Sequence, residues 1–337
     1  MATATPQAAT ALTPEMILQI ATGFMAAKHL FVANELGLFA HLAAGAATLD
    51  ALAERTGVPR RTLRIAADAL VALGLLAHDG ERYRNTPVAA AFLSGQGPAD
   101  LRPFLRLWNR ISYPTWLHLE EAVRTGASPN RQGGGFSAEE QRIFSEGVGA
   151  FAAAPAAALA VDYDFGQHRR LLDLGGGNGA FLRPILRQHP HLRGTVFELP
   201  GAAAVARQHL ASVQEGERIA VMAGDFLQDT LPPDHDAILI VNVIHVLSPE
   251  HNRELLRRAR AAVAPGGSLL IVDLLTDPTH TQPPFAALMA GEFLVLAGEG
   301  DVYSEAEVRD WLAATGWQPL GCTPLGGPTS VLMAEAR

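Results

Sequence analysis

The second half of the chain alternates short, unbroken apolar runs with turns and with stretches that have helical spacing. Unbroken apolar runs are typical of strands that are buried on both faces of a parallel sheet. They predict five strands, over residues 171–173, 194–199, 218–223, 236–245 and 268–273. Between the last two, Ser248 predicts the cap of a helix that begins at Pro249 and ends at Val263. The pattern indicates an α/β domain over residues 166–337.

The first 100 residues instead have a mostly helical pattern. Apolar residues recur at helical spacing over residues 16–30 and 31–42, where few side chains are charged. A helix–turn–helix follows, in which Thr48 caps the first helix and Gly57 ends it, and residues 75–86 resemble the hairpin of a winged helix. Because an apolar helix pair would leave an apolar surface exposed to solvent in a monomer, we expect these first helices to form a homodimer interface.

Residues 101–165 lie between these two regions and predict a helical connector rich in large side chains. An aromatic cluster of this kind favours a pocket for a flat, apolar small molecule. The candidates for lining it are Trp108, Asn109, Trp116, Phe144 and, from a later apolar segment, Glu292. Core packing is the alternative for each aromatic side chain, and an ion pair with an arginine is the alternative for Glu292. The composition also predicts a disordered tail over residues 1–10 and a flexible loop over residues 126–135.

A glycine-rich turn follows the first predicted strand, in the stretch Leu-Leu-Asp-Leu-Gly-Gly-Gly-Asn-Gly at residues 171–179. Asp173, Gly175 and Gly177 are candidate cofactor-binding residues, because glycines let the backbone approach a ligand closely. The turn is compatible with two cofactor classes. It satisfies the G-x-G-x-x-A pattern of dinucleotide sites, and it also resembles the first motif of methyltransferases that depend on S-adenosylmethionine (SAM). A tight structural loop is the alternative.

Residues at the ends of the next two strands decide between these classes. Glu198 ends the second strand, 19 residues beyond Gly179, where a carboxylate can accept hydrogen bonds from two ribose hydroxyls. Asp225 and Phe226 follow the third strand, where an acid can accept from an adenine amino group and a ring can cover the adenine face. A solvated strand end, a turn aspartate and a core phenylalanine are the structural alternatives. Together the three motifs favour SAM over NAD as the cofactor.

Candidate catalytic residues lie at the ends of the fourth and fifth strands. His245 ends the fourth predicted strand and Asp273 ends the fifth. Polar residues at the carboxyl ends of parallel strands face the ligand crevice, and a histidine there can take a proton from a hydroxyl near neutral pH. Because neighbouring strands would bring the two side chains together, we predict that Asp273 orients the imidazole. The alternative for His245 is a purely structural histidine.

From about Leu12 to Arg337 the chain resembles the small-molecule O-methyltransferases of the caffeate, hydroxyneurosporene and acetylserotonin type, in their bacterial branch. The resemblance rests on four motifs in order: L-L-D-L-G-G-G-N-G, F-E-L-P, G-D-F and A-P-G-G-S-L-L-I-V-D. It implies a Rossmann-like SAM domain preceded by a winged-helix-like dimerisation domain over residues 1–100. It further implies that the cofactor residues named above hold SAM, that His245 is the general base and that Asp273 orients it. Residues 142–148 also resemble a family stretch F-x-x-x-M, which implies that Phe144 and Val148 enclose an aromatic acceptor. The expected activity is methyl transfer to a hydroxyl of a small aromatic or polyketide-like acceptor in secondary metabolism.

The chain departs from that family at two places. His245 is followed by Val-Leu where the family often has Asp-Trp. In place of the family's second active-site acid, residues 298–304 offer only Glu299 and Asp301 nearby. These departures leave C- or N-methylation, or a SAM-bound protein that does not methylate, as alternatives. A further alternative is a SAM-sensing winged-helix regulator, whose recognition helix would carry Arg60, Arg61 and Arg64.

Bulk composition agrees with an enzyme that acts on small molecules. The formal net charge is −8, which argues against general nucleic-acid binding. A single cysteine, Cys322, excludes an intramolecular disulfide and leaves no zinc cluster, so no metal site is predicted. The sequence shows neither a basic leader nor an uninterrupted apolar stretch of membrane-spanning length. We therefore expect a cytoplasmic protein without a membrane partner.

Overall fold

A computed structural model describes residues 13–97, 99–128 and 136–337 of the chain. The predicted tail over residues 1–10 lies outside the described residues, as does most of the predicted loop. The chain divides into two compact units, Met1–Asp100 and Leu101–Arg337. The segment predicted as a connector thus belongs to the same unit as the α/β sheet.

The first unit is a small helical domain with a three-stranded sheet. Its helices are α1 (Glu15–Glu35), α2 (Leu38–His41), α3 (Leu49–Thr56), α4 (Arg60–Ala72) and α5 (Pro87–Phe92), and its strands are β1 (Ala47–Thr48), β2 (Leu76–Asp79) and β3 (Arg82–Asn85). The strand order is β1-β3-β2. As predicted, the Thr48 hydroxyl accepts a hydrogen bond from the Ala51 N–H, and Gly57 ends α3 with a left-handed backbone. The β2–β3 hairpin occupies the predicted wing.

The first helix is longer than the sequence pattern predicted. The expected boundary near residue 31 is wrong: α1 continues to Glu35, and the break falls at Gly37, whose φ is 64°. Glycine adopts this left-handed backbone without the steric cost that other residues bear. Much of α1 presents apolar side chains to solvent, namely Met16, Ile17, Leu18, Ile20, Phe24 and Met25. A row of exposed apolar residues is the surface expected of a subunit interface.

Two of the three arginines on the predicted recognition helix, α4, form ion pairs within the domain. Arg60 Nε lies 2.6 Å from Asp50 Oδ1, and Arg64 Nη1 lies 2.7 Å from Asp68 Oδ2. Each partner carboxylate offsets a positive charge that DNA phosphates would otherwise attract. This arrangement disfavours the interpretation of the domain as a DNA-binding regulator.

The second unit contains a seven-stranded sheet flanked by helices. Its strands are β4 (Arg170–Leu174), β5 (Arg193–Glu198), β6 (Ile219–Ala223), β7 (His235–Val241), β8 (Val263–Leu274), β9 (Trp317–Pro324) and β10 (Thr329–Ala336). Its α-helices are α6 (Arg102–Leu107), α7 (Tyr113–Trp116), α8 (Leu119–Thr125), α9 (Ala138–Asp162), α10 (Leu182–Gln188), α11 (Pro200–Leu210), α12 (Pro249–Ala262), α13 (Pro284–Ala297) and α14 (Glu305–Ala314). A π-helix (Trp108–Ser112) joins α6 to α7, and 3₁₀ turns span Phe165–Gln167, Gln214–Arg218 and Ile244–Val246.

The strand order β6-β5-β4-β7-β8-β10-β9 creates the crevice in which a ligand can bind. All neighbouring strands from β6 to β8 pair in parallel, whereas β10 is antiparallel to both β8 and β9. Successive residues of β7, such as Ile238 and Leu239, pack into apolar clusters on opposite faces of the sheet. The chain passes from β4 outward to β6 and then returns to β7 on the other side of β4, and ligands bind at such a switch point.

The fourth predicted strand was too long, and this corrects the expected position of His245. Strand β7 ends at Val241, and Asn242 then adopts a positive φ of 54°. His245 lies in the 3₁₀ turn that follows. The Asn252 amide fixes this turn from α12 by donating to the carbonyls of Ile244 and Leu247. An apolar run cannot by itself distinguish a strand from a buried turn that continues it.

Two described helices, α1 and α9, are long and apolar enough to cross a membrane by length and composition. Charged residues interrupt both helices, such as Lys28 in α1 and Arg142 in α9, so neither is an uninterrupted apolar stretch of membrane-spanning length. In helix α9, 39% of the most apolar 18-residue stretch is buried inside the protein. The first turns of the helix carry ion pairs between Arg142 and two glutamates. Core helices of globular proteins share this length and composition, so the match is weak support for a membrane span.

Candidate active site

The glycine turn after β4 has the backbone that a close ligand approach requires. Gly175 and Gly177 have φ values of 73° and 53°, in the left-handed region that favours glycine. The Gly175 N–H donates to the Phe197 carbonyl at 2.9 Å, which ties the turn to β5. A Cβ at Gly175 would lie 2.7 Å from Val243, whereas a Cβ at Gly177 would meet no atom within 4 Å. The turn is therefore packed on one side and open at Gly177.

Two carboxylates, Asp173 and Glu198, lie beside this turn. Asp173 is 1% exposed, and among the described residues its Oδ1 has no hydrogen-bond partner. Burial raises the pKa of Asp173 to about 8, and the charge of Glu198 adds to the effect. Glu198 accepts hydrogen bonds from the N–H groups of Gly177 and Leu199 at 3.1 and 2.9 Å. Burial nevertheless raises the pKa of Glu198 above its usual range.

The two remaining predicted cofactor residues occupy different positions with respect to the turn. The Phe226 ring lies 3.6 Å from the position that a Cβ would take at Gly175, so the structure brings it to the glycine turn. Asp225 makes local contacts: its Oδ1 accepts from the Leu227 N–H at 2.8 Å, and its own N–H donates to Asp229. Asp225 is half-buried, so its side chain is not enclosed by the protein.

These features fit SAM. The cofactor carries a cationic sulfonium and an ammonium group, and the Asp173 carboxyl, with its unpartnered oxygen, becomes a negative site at the turn when it ionises. Glu198, at the carboxyl end of β5, is the acid that a ribose requires. The open space over Gly177 leaves room for a ligand to contact the backbone. A dinucleotide would use the same turn and the same acid, so geometry alone leaves both classes possible.

His245 and Asp273 meet at the carboxyl ends of β7 and β8. His245 Nδ1 lies 2.6 Å from Asp273 Oδ1, which also accepts the Leu274 N–H at 2.7 Å. The histidine is 8% exposed and the aspartate 1%. Because a carboxylate accepts the proton on Nδ1, the neutral imidazole keeps its lone pair on Nε2. This tautomer has the form that a general base needs.

Two residues that the sequence pattern does not single out pack against His245. The Phe293 ring on α13 stacks on the imidazole, with ring centroids 3.8 Å apart and planes inclined by 17°. Gly300 lies against the backbone of the histidine, where a Cβ would approach the His245 carbonyl oxygen to 2.1 Å. No local pattern points to either contact, because each joins segments far apart in the chain.

The two acids considered as replacements for the family's second acid have other partners. Glu299 Oε1 lies 3.1 Å from His251 Nδ1, at the protein surface. Asp301 accepts a hydrogen bond from the N–H of the next residue, Val302, at 2.7 Å. Neither of these two contacts involves the imidazole of His245.

Glu292 is buried and binds the connector instead of an arginine. Its Oε1 accepts from the Ser112 hydroxyl at 2.6 Å, and its Oε2 accepts from the Trp116 indole N–H. Only 3% of the residue is exposed, and burial raises the pKa of its carboxyl above the usual range. The structure thus brings Glu292 and Trp116 together as partners of one another.

The other predicted pocket residues lie on the π-helix and α9. Trp108 and Asn109 are half-buried on the π-helix, where Trp108 contacts Phe104 edge to face. Phe144 and Val148, from α9, pack against a small apolar cluster that includes Leu107, Ile111 and Ile143. At the next residue of α9, a Cβ at Gly149 would lie 2.7 Å from the Asn178 amide of the glycine turn. Helix α9 therefore joins the candidate cofactor site to the aromatic connector.

Comparison with known families agrees with this arrangement of units. A model described as an O-methyltransferase dimerisation domain matches residues 18–95, within the first unit. A model described as an O-methyltransferase domain matches residues 116–318, within the second. The second match alone covers more than half of the chain.

Individual relatives match over nearly the full length. The chain is 38% identical to the 3-hydroxy-5-methyl-1-naphthoate 3-O-methyltransferase of Streptomyces sahachiroi, over 90% of this chain and 89% of the relative. It is 32% identical to the tetracenomycin polyketide synthesis 8-O-methyl transferase TcmO of Streptomyces glaucescens, over 96% of each chain. The solved structure of human N-acetylserotonin methyltransferase in complex with SAM has a TM-score of 0.89 and 26% identity, covering 98% of this chain and 99% of that one.

Proposed function

This chain belongs to the O-methyltransferase family and uses SAM as its methyl donor, and from that premise we propose that it methylates a phenolic hydroxyl of a flat, fused-ring acceptor. The observation that carries this proposal is the buried His245–Asp273 pair beside the glycine turn. The naphthoate and polyketide enzymes among its relatives support an aromatic acceptor of secondary metabolism.

In the proposed mechanism His245 is the general base. Its Nε2 accepts the proton of the acceptor hydroxyl, and Asp273 holds the imidazole through Nδ1 while the ring is protonated. When bound, SAM supplies an already activated methyl group, whose bond to sulfur breaks as the acceptor oxygen takes the carbon. The residues around the site contribute by aligning the hydroxyl and by excluding water.

The cofactor would be held by the residues around the glycine turn. Glu198 would accept from the ribose hydroxyls, and Phe226 would cover one face of the adenine. Asp225, half-buried at the end of β6, would accept from the adenine amino group. Asp173, Gly175 and Gly177 would contact the amino-acid end of SAM, where the structure leaves the backbone open at Gly177.

The acceptor would lie between α9, the π-helix and α13. Phe144 and Val148 would line one side and Trp108 and Asn109 the other. Because both oxygens of Glu292 are already hydrogen-bonded by Ser112 and Trp116, these three residues would shape the pocket wall. Such a wall is mostly apolar with a few fixed polar groups, as small-molecule pockets are.

We also propose that the protein is a homodimer formed through the first unit. The family model that matches residues 18–95 describes a dimerisation domain. The exposed apolar residues of α1 lie in that range or directly before it, and Ile20 at its centre is 75% exposed. Burial of this row against a second copy would remove it from water.

The affinity for SAM is expected to rise with pH up to about pH 8, because burial raises the pKa of Asp173 to about 8 and so favours its protonated form below that pH. A cation favours the ionised carboxylate, so binding must release that proton below its pKa. For each unit by which the pH rises toward this pKa, the dissociation constant should then fall by up to about tenfold. Calorimetry in two buffers of different ionisation enthalpy would measure both the affinity and the protons released.

Asp173→Asn is the matched control for this titration. The amide keeps the shape of the side chain but cannot ionise. The affinity of this variant for SAM should therefore depend less on pH than the affinity of the wild-type protein does. Equal affinity for SAM at all pH values in the wild-type protein would contradict the assignment of the proton to Asp173.

The acceptor class is testable with a graded panel of hydroxylated arenes. Because each added fused ring buries more apolar surface, hydroxynaphthoates should have kcat/KM values at least about tenfold above those of single-ring phenols. Production of S-adenosylhomocysteine and methylated product should be equimolar by mass spectrometry. The same protein with Leu117→Ala, a change at an exposed position, should behave as wild type. Failure to methylate any hydroxylated arene in the panel would refute the proposed acceptor class.

A further inference from the structure

We propose that Phe293 is a positioning residue for His245, holding the imidazole in the orientation from which it takes the acceptor proton. The inference rests on the proposed function, in which His245 is the base. It goes beyond that function because the motifs of the sequence assign no role to Phe293. The contact that suggests it is the nearly parallel stack of the two rings, with centroids 3.8 Å apart.

The Asp273 hydrogen bond alone constrains only one edge of the imidazole. It engages Nδ1 at 2.6 Å and leaves the tilt of the ring undetermined. The Phe293 face covers one side of the imidazole at an inclination of 17°, which restricts that tilt. It also places the negative face of an aromatic ring next to the cation that forms when Nε2 takes a proton. The two contacts therefore act on different parts of the same ring.

Phe293 is itself held rigidly. It is 7% exposed and packs with Leu274, Ala286 and Val302 in a cluster between β8, α13 and the segment after it. The preceding residue, Glu292, ties α13 to the connector through the Ser112 hydroxyl at 2.6 Å and the Trp116 indole. Neighbouring residues of one helix thus contact the acceptor wall and the base. A ligand that orders the connector would also fix the ring that supports His245.

The segment that follows α13 restrains the backbone of the histidine in the same way. At Gly300 a Cβ would lie 2.1 Å from the His245 carbonyl oxygen, so the backbone at Gly300 is in direct contact with the backbone at His245. The imidazole is consequently constrained at its edge by Asp273, at its face by Phe293 and at its backbone by the segment at Gly300. Helix α13 and its C-terminal extension supply two of these three constraints.

Kinetics with a hydroxynaphthoate and SAM test this proposal through Phe293→Leu, Phe293→Tyr and their combinations with His245→Ala. We expect Phe293→Leu to lower kcat about tenfold, with the KM for SAM unchanged, and Phe293→Tyr to retain most of the activity because it keeps the ring face. In the His245→Ala background, Phe293→Leu should have no further effect on kcat. An equal loss in both backgrounds, or an unchanged kcat in Phe293→Leu, would overturn the proposal.

Proton NMR of the unliganded protein tests the same proposal without any methyl transfer. The hydrogen-bonded Nδ1 proton of His245 should give a downfield resonance that disappears in His245→Ala. We expect Phe293→Leu to broaden or abolish it by faster exchange with water, and Phe293→Tyr to preserve it. An unaltered resonance in Phe293→Leu would refute the positioning role. If the wild-type protein methylates no arene, the proposed function fails while this measurement still decides the role of Phe293.

Discussion

Replacement of His245 by alanine is expected to lower kcat for a phenolic acceptor by at least about 100-fold, the scale of general acid–base catalysis. The imidazole is the only described side chain that the structure places on Asp273 Oδ1, and its free Nε2 is the position at which a proton can be taken. Without it the hydroxyl must lose its proton to water. A measurable residual activity should remain, because alignment of the acceptor contributes separately from proton removal.

Two measurements on the variant and one further substitution distinguish loss of the base from loss of the site. Affinity for SAM, measured by calorimetry, should be the same in His245→Ala and in the wild-type protein. The residual rate of the variant should increase with pH, since a phenol that ionises in solution needs no base. Asp273→Asn should reduce kcat less than His245→Ala does, because the imidazole stays in place while losing its charged partner. A His245→Ala kcat within a few-fold of wild type would remove the base assignment but not the family assignment.

Replacement of Glu198 by alanine is expected to weaken SAM binding by about 100-fold or more. Hydrogen bonds to a charged acceptor contribute about 1.5–3 kcal/mol each, and two ribose hydroxyls would share this carboxylate. The substitution also removes the partner of the Gly177 N–H, which the carboxylate accepts at 3.1 Å. The glycine turn would therefore lose both a ligand contact and the hydrogen bond that shapes it.

Calorimetry with SAM and with S-adenosylhomocysteine would measure this loss, since both ligands carry the same ribose. Glu198→Gln should weaken binding less than Glu198→Ala, because the amide retains one acceptor oxygen. Glu305→Ala is the control, because that glutamate begins α14 and pairs with Arg309. Unchanged affinity in Glu198→Ala would refute the ribose role, whatever the effect on catalysis.

The arrangement of the candidate cofactor residues could be predicted because its signals are local in the sequence. A glycine turn after an apolar run and an acid at the end of the next strand specify conformations and chemistry within a few residues. The parallel strands then bring such residues to one edge of the sheet. His245 and Asp273 meet for the same reason, even though His245 lies in a turn beyond the predicted strand end.

The contacts between residues around the candidate acceptor pocket could not be predicted from the sequence. Glu292 was singled out as a residue near the substrate, but its partners Ser112 and Trp116 lie far away in the chain. The sequence pattern indicates no role for Phe293, because an apolar residue in an apolar helix carries no local signal of a functional contact. Contacts between α13, the connector and the turn at His245 depend on how helices pack, which apolar spacing alone does not determine.

The most direct test of the central claim is the transfer of a ¹³C-labelled methyl group from SAM to a hydroxynaphthoate, followed by carbon NMR of the product. We predict a single labelled methyl bonded to oxygen, with one S-adenosylhomocysteine formed for each product molecule. A label on carbon or nitrogen, or no labelled product from any hydroxylated arene, would contradict the account of His245 as the base of an O-methyl transfer.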